Sequence, residues 1–166
     1  GIPDWVYEEE FSFSRAYQWS PASDQIVFLR FDESQVKQYN MNMFENQLYP
    51  SVYTFKYPKA GEQNSIVSAH VYNLNTGAIQ RMDTGTEEDQ YIPRINWTPD
   101  GQVVIFRLNR VQNRFEMLLA DSGSGSSRVV YEEENPRYIE RVDDETVTFL
   151  KDGKHYIVKS EKSGFC

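Results

Sequence analysis

The sequence predicts an all-β protein built from antiparallel four-stranded units, and three observations carry that expectation. The first is an internal repeat. Trp19-Ser20-Pro21-Ala22-Ser23-Asp24 runs into Ile26-Val27-Phe28-Leu29-Arg30-Phe31, Trp97-Thr98-Pro99-Asp100-Gly101 into Val103-Val104-Ile105-Phe106-Arg107-Leu108, and Phe149-Leu150-Lys151-Asp152-Gly153 into His155-Tyr156-Ile157-Val158. Each copy is an aromatic residue, a tight turn and a strand; Pro presets φ for the turn and Gly tolerates a positive φ. The second is that further strands follow each copy, bounded by short polar turns, which is the pattern of a β-meander. The third is the aromatic content, 11 Tyr, 10 Phe and 3 Trp in 166 residues, which suits half-buried sheet positions. Repeated four-stranded meanders are the blades of a β-propeller. Closing such a ring takes roughly four to eight blades, so residues 1–166 are expected to form an incomplete β-propeller slice of about two to three blades.

In chain order, the first element is Asp4-Trp5-Val6-Tyr7-Glu8-Glu9-Glu10. Asp4 is placed to N-cap a short helix with Glu8 in its first turn, where the helix dipole favours acid. Neighbouring side chains on a helix point about 100° apart, so two of the three carboxylates could converge on one cation beside an aromatic wall. A solvated acidic face is the plain alternative. The chain also contains its own control: Val130-Tyr131-Glu132-Glu133-Glu134 repeats the pentapeptide after Ser126-Ser127-Arg128-Val129, where it reads as the end of a strand running into a loop.

After the Trp19 copy, Gln35 to Pro58 fits neither blade strand. It is read as an arm inserted between Asp32 and Ser65, and it explains why Trp19 and Trp97 stand 78 positions apart while Trp97 and Phe149 stand 52 apart. The latter is near the roughly 40–50 residues of propeller repeats. Val67 to Leu74 alternates and stops at Asn75-Thr76-Gly77, and Phe115 to Ala120 stops at Asp121-Ser122-Gly123. Third strands are expected from Ile79 to Met82 and from Arg128 to Tyr131, with Ser122 to Ser127 as a hairpin loop. Both chain ends read as cut from something longer.

Several chemistries are missing. With 25 acidic and 17 basic side chains the formal charge is -8, so there is no basic stripe for nucleic acid. No apolar window of 18 residues exists to span a membrane, and the first residues lack the pattern of a signal peptide. No Gly-x-Ser-x-Gly elbow or phosphate-binding glycine loop occurs. His70 and His155 are both read as strand residues, and with the single Cys166 they make no metal site. Cys166 alone also excludes an internal disulfide. No catalytic residue, metal or cofactor is assigned.

The order Trp5-Val6-Tyr7-Glu8-Glu9-Glu10, then Trp19-Ser20-Pro21, then Tyr57-Pro58-Lys59-Ala60-Gly61, with Tyr91-Ile92-Pro93-Arg94-Ile95 before Trp97, resembles the N-terminal propeller of the dipeptidyl peptidase IV family, within the prolyl oligopeptidases. Trp-Ser-Pro is generic among propellers; the acidic and Tyr-Pro-Lys-Ala-Gly segments are far more specific. The resemblance implies a serine exopeptidase that releases N-terminal dipeptides, preferably X-Pro. Its Ser-Asp-His triad would lie in an α/β-hydrolase domain not contained in these residues. The second and third glutamates of the acidic segment, here Glu9 and Glu10, would bind the free ammonium of the peptide substrate. The arm would help form a homodimer. The family's substrate-side arginine from an earlier propeller segment has no counterpart here, and Phe11 to Ala16 is one residue shorter than the family pattern. A single cysteine suggests a bacterial member, which the resemblance would place in the periplasm or at the cell surface. Beside this stand a non-catalytic protein-binding propeller of the TolB or WD40 type, and a propeller from a relative that cuts endo- or acyl-peptides.

Overall fold

The computed structural model describes residues 3–140 and 142–164. Ile2 and Cys166 lie outside the described residues, so the sequence readings that touch them are not followed further. Among the described residues there is one helix, α1 (Trp5–Phe11), and twelve strands. The strands are β1 (Tyr17–Trp19), β2 (Gln25–Asp32), β3 (Gln38–Met43), β4 (Ser51–Lys56), β5 (Ile66–Asn73), β6 (Ile79–Arg81), β7 (Gln90–Trp97), β8 (Val103–Asn109), β9 (Arg114–Ala120), β10 (Ser127–Glu134), β11 (Val147–Phe149) and β12 (Tyr156–Val158).

They assemble as two four-stranded antiparallel sheets, β1-β2-β5-β6 and β7-β8-β9-β10, and two pairs, β3-β4 and β11-β12. This is the expected incomplete propeller slice. Each repeat aromatic ends the first strand of a sheet, so the repeat unit read from the sequence is offset from the blade by that strand: Trp19 closes β1, Trp97 closes β7 and Phe149 closes β11. Strand alternation explains how the blades stack. Val27, Leu29 and Phe31 stand opposite Val71, Ala69 and Val67 and face inward, and β7 of the second blade packs against β1, β2 and β5. The opposite face of the first blade carries Phe28 on His70, rings stacked at 5.5 Å. Equivalent tryptophans therefore differ sharply: Trp97, pressed between blades with its indole N–H donating to the Gln18 carbonyl at 3.1 Å, is 7% exposed, while Trp19 on the open face is 51% exposed.

Two local readings need correction, and one strand was not read from the sequence. β7 contains Pro93 and was not legible as a strand, because Pro cannot donate to a ladder. It is tolerated since β7 is the edge strand of its sheet and its register shifts between Tyr91 and Arg94, across Pro93. The second acidic pentapeptide does not run into a loop: β10 continues through Glu134. The charges that would break a strand are absorbed across it, with Arg114 Nε at 2.8 Å from Glu132 and 3.6 Å from Glu134, and its Nη2 at 3.2 Å from Glu116. His155 is not a strand residue; it precedes β12 and sits with Nδ1 2.6 Å from Asp152 Oδ2, in a turn held by that carboxylate. His70 is in β5, as read, within 2.9 Å of the Ser68 hydroxyl. The segment read as an arm contains β3 and β4. β3 and β4 pair from Gln38↔Lys56 to Met43↔Ser51 as a hairpin inserted between β2 and β5, and most of its side chains are exposed.

Candidate functional site

The acidic segment forms α1, lying across the junction of the two blades. Asp4 caps it as the sequence requires: its backbone is extended, and one carboxylate oxygen accepts from the Tyr7 N–H at 2.9 Å. Its other oxygen accepts from the Ser65 hydroxyl at 2.5 Å. Tyr7 is the wedge. Its ring meets Phe31 of the first blade at 5.0 Å and Tyr91 of the second at 6.2 Å. Its hydroxyl accepts the Ile92 N–H at 2.8 Å, a donor that the irregular register of β7 would otherwise leave unpaired. Burial pushes the Tyr7 phenol far above its ordinary 10, so it stays neutral.

The helix stops at Ser12, in the left-handed region at φ 50. Its C-terminal end is gripped by Arg94, whose Nη2 donates to the Phe11 carbonyl at 2.9 Å, Nη1 to the Pro93 carbonyl at 2.7 Å and Nε to Asp144 at 2.9 Å. A cation at a helix C-terminus also complements the helix dipole. Tyr91 completes the floor: Phe11 lies 5.1 Å from its ring, Arg110 5.8 Å over it, and Asn64 donates to its hydroxyl at 2.9 Å. Burial raises the Tyr91 phenol, with the negative charges of Asp89 and Glu10 adding to it and Arg110 and Asn64 working the other way.

Glu8, Glu9 and Glu10 are all exposed on this helix, and none makes an ion pair or side-chain hydrogen bond among the described residues. Their positions differ. Glu10 follows Tyr7 by three residues and so shares its stripe, the side of Tyr91; Glu9 follows Trp5 by four and shares that stripe; Glu8 points about 160° from Glu10. The structure thus sets Glu9 and Glu10 on adjoining faces of one braced turn. The control segment is different in kind. Glu133 is 6% exposed and accepts from the Tyr131 hydroxyl at 2.6 Å, while Glu132 and Glu134 are neighbours of Arg114. One acidic run is consumed by its own sheet; the other stands exposed on its helix.

Sequence reasoning missed Arg94, Asn64 and Ser65 as supports. Arg94 and Asn64 lie in or beside segments already noted for their pattern, but their partners come from elsewhere in the chain. Two concavities are separate from Glu8, Glu9 and Glu10. One of about 420 Å³ lies between β10 and β12, lined by Phe115, Glu133, Tyr138, Ile139 and Val158. One of about 280 Å³ lies at the C-terminal end of α1, beside Arg94 and Asp144. Among the described residues no group of three His, Cys, Asp or Glu side chains is placed to hold a metal ion, and no helix is long and apolar enough to cross a membrane.

Comparison with known proteins gives a consistent result. The family model described as the dipeptidyl peptidase IV N-terminal region matches residues 1–166. "Inactive dipeptidyl peptidase 10" of Mus musculus is 32% identical over 95% of this chain and 20% of its own length. "Probable dipeptidyl-aminopeptidase B" of Ajellomyces dermatitidis is 35% identical over 81% of this chain and 16% of its own length. The crystal structure of Porphyromonas gingivalis dipeptidyl peptidase 4 superposes with a TM-score of 0.79 at 42% identity, covering 84% of this chain and 20% of that one. A putative dipeptidyl aminopeptidase IV from Bacteroides ovatus gives 0.83 at 30% identity, over 95% and 22%. The chain spans about a fifth of the length of these relatives. Matched from end to end, and sharing its blades with solved dipeptidyl peptidase structures, the chain belongs to the dipeptidyl peptidase IV N-terminal region family.

Proposed function

We propose that this chain is the part of a dipeptidyl-peptidase-type serine exopeptidase that recognises the free N-terminus of the substrate, with Glu9 and Glu10 accepting hydrogen bonds from its ammonium. The observation that carries the reading is the placement of both carboxylates, exposed and without a side-chain partner among the described residues, on a helix braced at each end by Asp4 and Arg94. An enzyme that counts two residues from a chain end must sense that end, and the ammonium marks it. An N-blocked peptide would leave two desolvated carboxylates unpaired, which costs several kcal/mol in discrimination. The Ser-Asp-His triad and the preference for X-Pro are assigned to a hydrolase domain of the same protein, pairing of subunits to the arm, and the site of action to the periplasm or cell surface.

A charge-assisted hydrogen bond contributes about 1.5–3 kcal/mol, so two to one ammonium correspond to roughly 10²–10⁴ in kcat/KM. The test uses the full-length enzyme and a Gly-Pro-type chromogenic substrate. Glu9→Gln and Glu10→Gln each cut turnover strongly, with fold intact. Glu8→Gln and Glu133→Gln are nearly silent. Equal damage from Glu133→Gln and Glu10→Gln, or full activity in both Glu9 and Glu10 variants, rejects the assignment.

A second reading is favoured by one observation: a relative at 32% identity over 95% of the chain carries the name "Inactive dipeptidyl peptidase 10". On it, the propeller is a non-catalytic protein-binding module, related in role to TolB and WD40 propellers. Absence of any dipeptide release by the wild-type full-length protein, with every substrate tried, decides for that reading.

A further inference from the structure

The helix that carries Glu9 and Glu10 is not held by the blades alone. Its first residue, Trp5, packs against Tyr57 with ring centroids 4.3 Å apart. Tyr57 stands immediately after β4, where the arm returns to the body of the protein. Its N–H donates to the Lys37 carbonyl at 2.9 Å, and its ring lies 5.6 Å from Tyr39 and 6.0 Å from Phe55. The same return segment supplies Ser65, which donates to Asp4, and Glu62, whose carboxylate pairs with Lys37 at 2.7 Å and whose carbonyl accepts from Arg110 at 3.0 Å. The N-terminal half of α1 therefore rests on the root of the arm. The C-terminal half rests on β7, through Tyr7, Tyr91 and Arg94.

Helix geometry divides the two glutamates between these supports. A helical side chain leans towards the turn N-terminal to its own Cα. Glu9, four residues after Trp5, lies over Trp5; Glu10, three after Tyr7, lies over the β7 side. We infer that Tyr57, acting through Trp5, is a positioning residue for Glu9: the root of the arm sets one of the two carboxylates that meet the substrate ammonium, and β7 sets the other. The inference rests on the ammonium-binding role proposed for Glu9 and Glu10. It makes the arm root part of substrate recognition, so a load on the arm displaces Glu9 before Glu10.

The experiment is a double-mutant cycle in the full-length enzyme, reading kcat and KM on a Gly-Pro-type chromogenic substrate. Tyr57→Ala lowers kcat/KM by about 3- to 10-fold, the range expected for one aromatic pair, mainly through KM, and Tyr57→Phe restores it. In the Glu9→Gln background the effect of Tyr57→Ala shrinks to less than about twofold; in the Glu10→Gln background it persists in full, because residues that act through one another are non-additive and independent ones add. Tyr57→Leu, with apolar bulk but no ring, replaces Tyr57→Ala if the latter does not fold. A general loosening of the propeller gives the same fold-loss in all backgrounds, and that result overturns the inference, as does a silent Tyr57→Ala. A silent Glu9→Gln removes the ammonium role itself and the inference with it. A costly Glu9→Gln with additive or silent Tyr57 variants removes the positioning role alone.

Discussion

Glu10 and Glu133 belong to two copies of the same pentapeptide, and their neighbours give them different chemistry. Glu133 is committed to a tyrosine inside its sheet, while Glu10 stands exposed on a helix, where its charge acts on Tyr91. Sequence alone separates such pairs when the discriminating contact is local. The cap at Asp4 was legible because donor and acceptor are three residues apart. Arg94 was not, since the carbonyl it holds lies 83 positions away. His70 shows a similar long-range effect with a measurable consequence. It sits on the open face of the first blade, stacked on Phe28. Burial, then the charges of Arg81 and Arg30, hold its pKa below the ordinary 6.5. The unfolded chain therefore binds a proton at His70 before the folded one does. The stability this represents is complete above about pH 6.5 and is lost as pH falls through the depressed folded value. NMR titration of the His70 ring in the full-length protein is expected to give a midpoint under 6.5, and His70→Gln to lessen the fall in thermal midpoint between pH 7.5 and 5.5. A midpoint at or above 6.5 contradicts the packing described.

At the scale of the element, α1 is far too short to persist by itself, since isolated helices under about 12–15 residues are marginal in water. Its order comes from what surrounds it: a cap, a buried tyrosine and an arginine at the far end. The acidic run was therefore readable as a helix start, but not as a braced platform, because the braces come from residues 57–65 and 91–94. β7 gives the converse case. Its alternation is masked by Pro93, and only pairing with β8 shows where the missing N–H is tolerated. Removal of the cap tests the bracing. Asp4→Ala deletes the acceptor of the Tyr7 N–H and the partner of Ser65. Loss of an N-cap costs typically about 1 kcal/mol, and loss of a second hydrogen bond about 1 more. Hydrogen–deuterium exchange of the segment from residue 4 to 12 is then expected to speed up about 30-fold, as local opening becomes easier by about 2 kcal/mol. Asp4→Asn, which keeps a capping oxygen, has a smaller effect. Unchanged exchange in Asp4→Ala would show that Tyr7 and Arg94 suffice.

For the molecule as a whole, the period of the repeat was legible because every blade restates it as aromatic, turn and strand. The arm was legible only as an interruption, because a hairpin with both faces exposed lacks the in-and-out alternation that burial imposes. That same property argues for a partner. A lone two-stranded hairpin is marginal in water, yet this one displays Phe44, Leu48, Tyr49, Val52 and Tyr53 at 58% exposure or more. Aromatic residues and methionine are enriched where protein surfaces meet, and Met41 is exposed in the same hairpin. The proposed occupant is the arm region of a second copy. The Tyr57 N–H already bonds the Lys37 carbonyl, so residues 38–56 can be replaced by a short Gly-Ser turn without moving either end. Light scattering is expected to report a dimer for the intact full-length protein and a monomer for the protein carrying this deletion. Because Tyr57 and Trp5 are retained, hydrolysis of a free-N-terminus dipeptide substrate should fall far less than in Tyr57→Ala. A dimer that survives the deletion excludes the arm as the contact. A monomer as impaired as Tyr57→Ala would mean that subunit pairing, rather than the arm root, holds Glu9 in place.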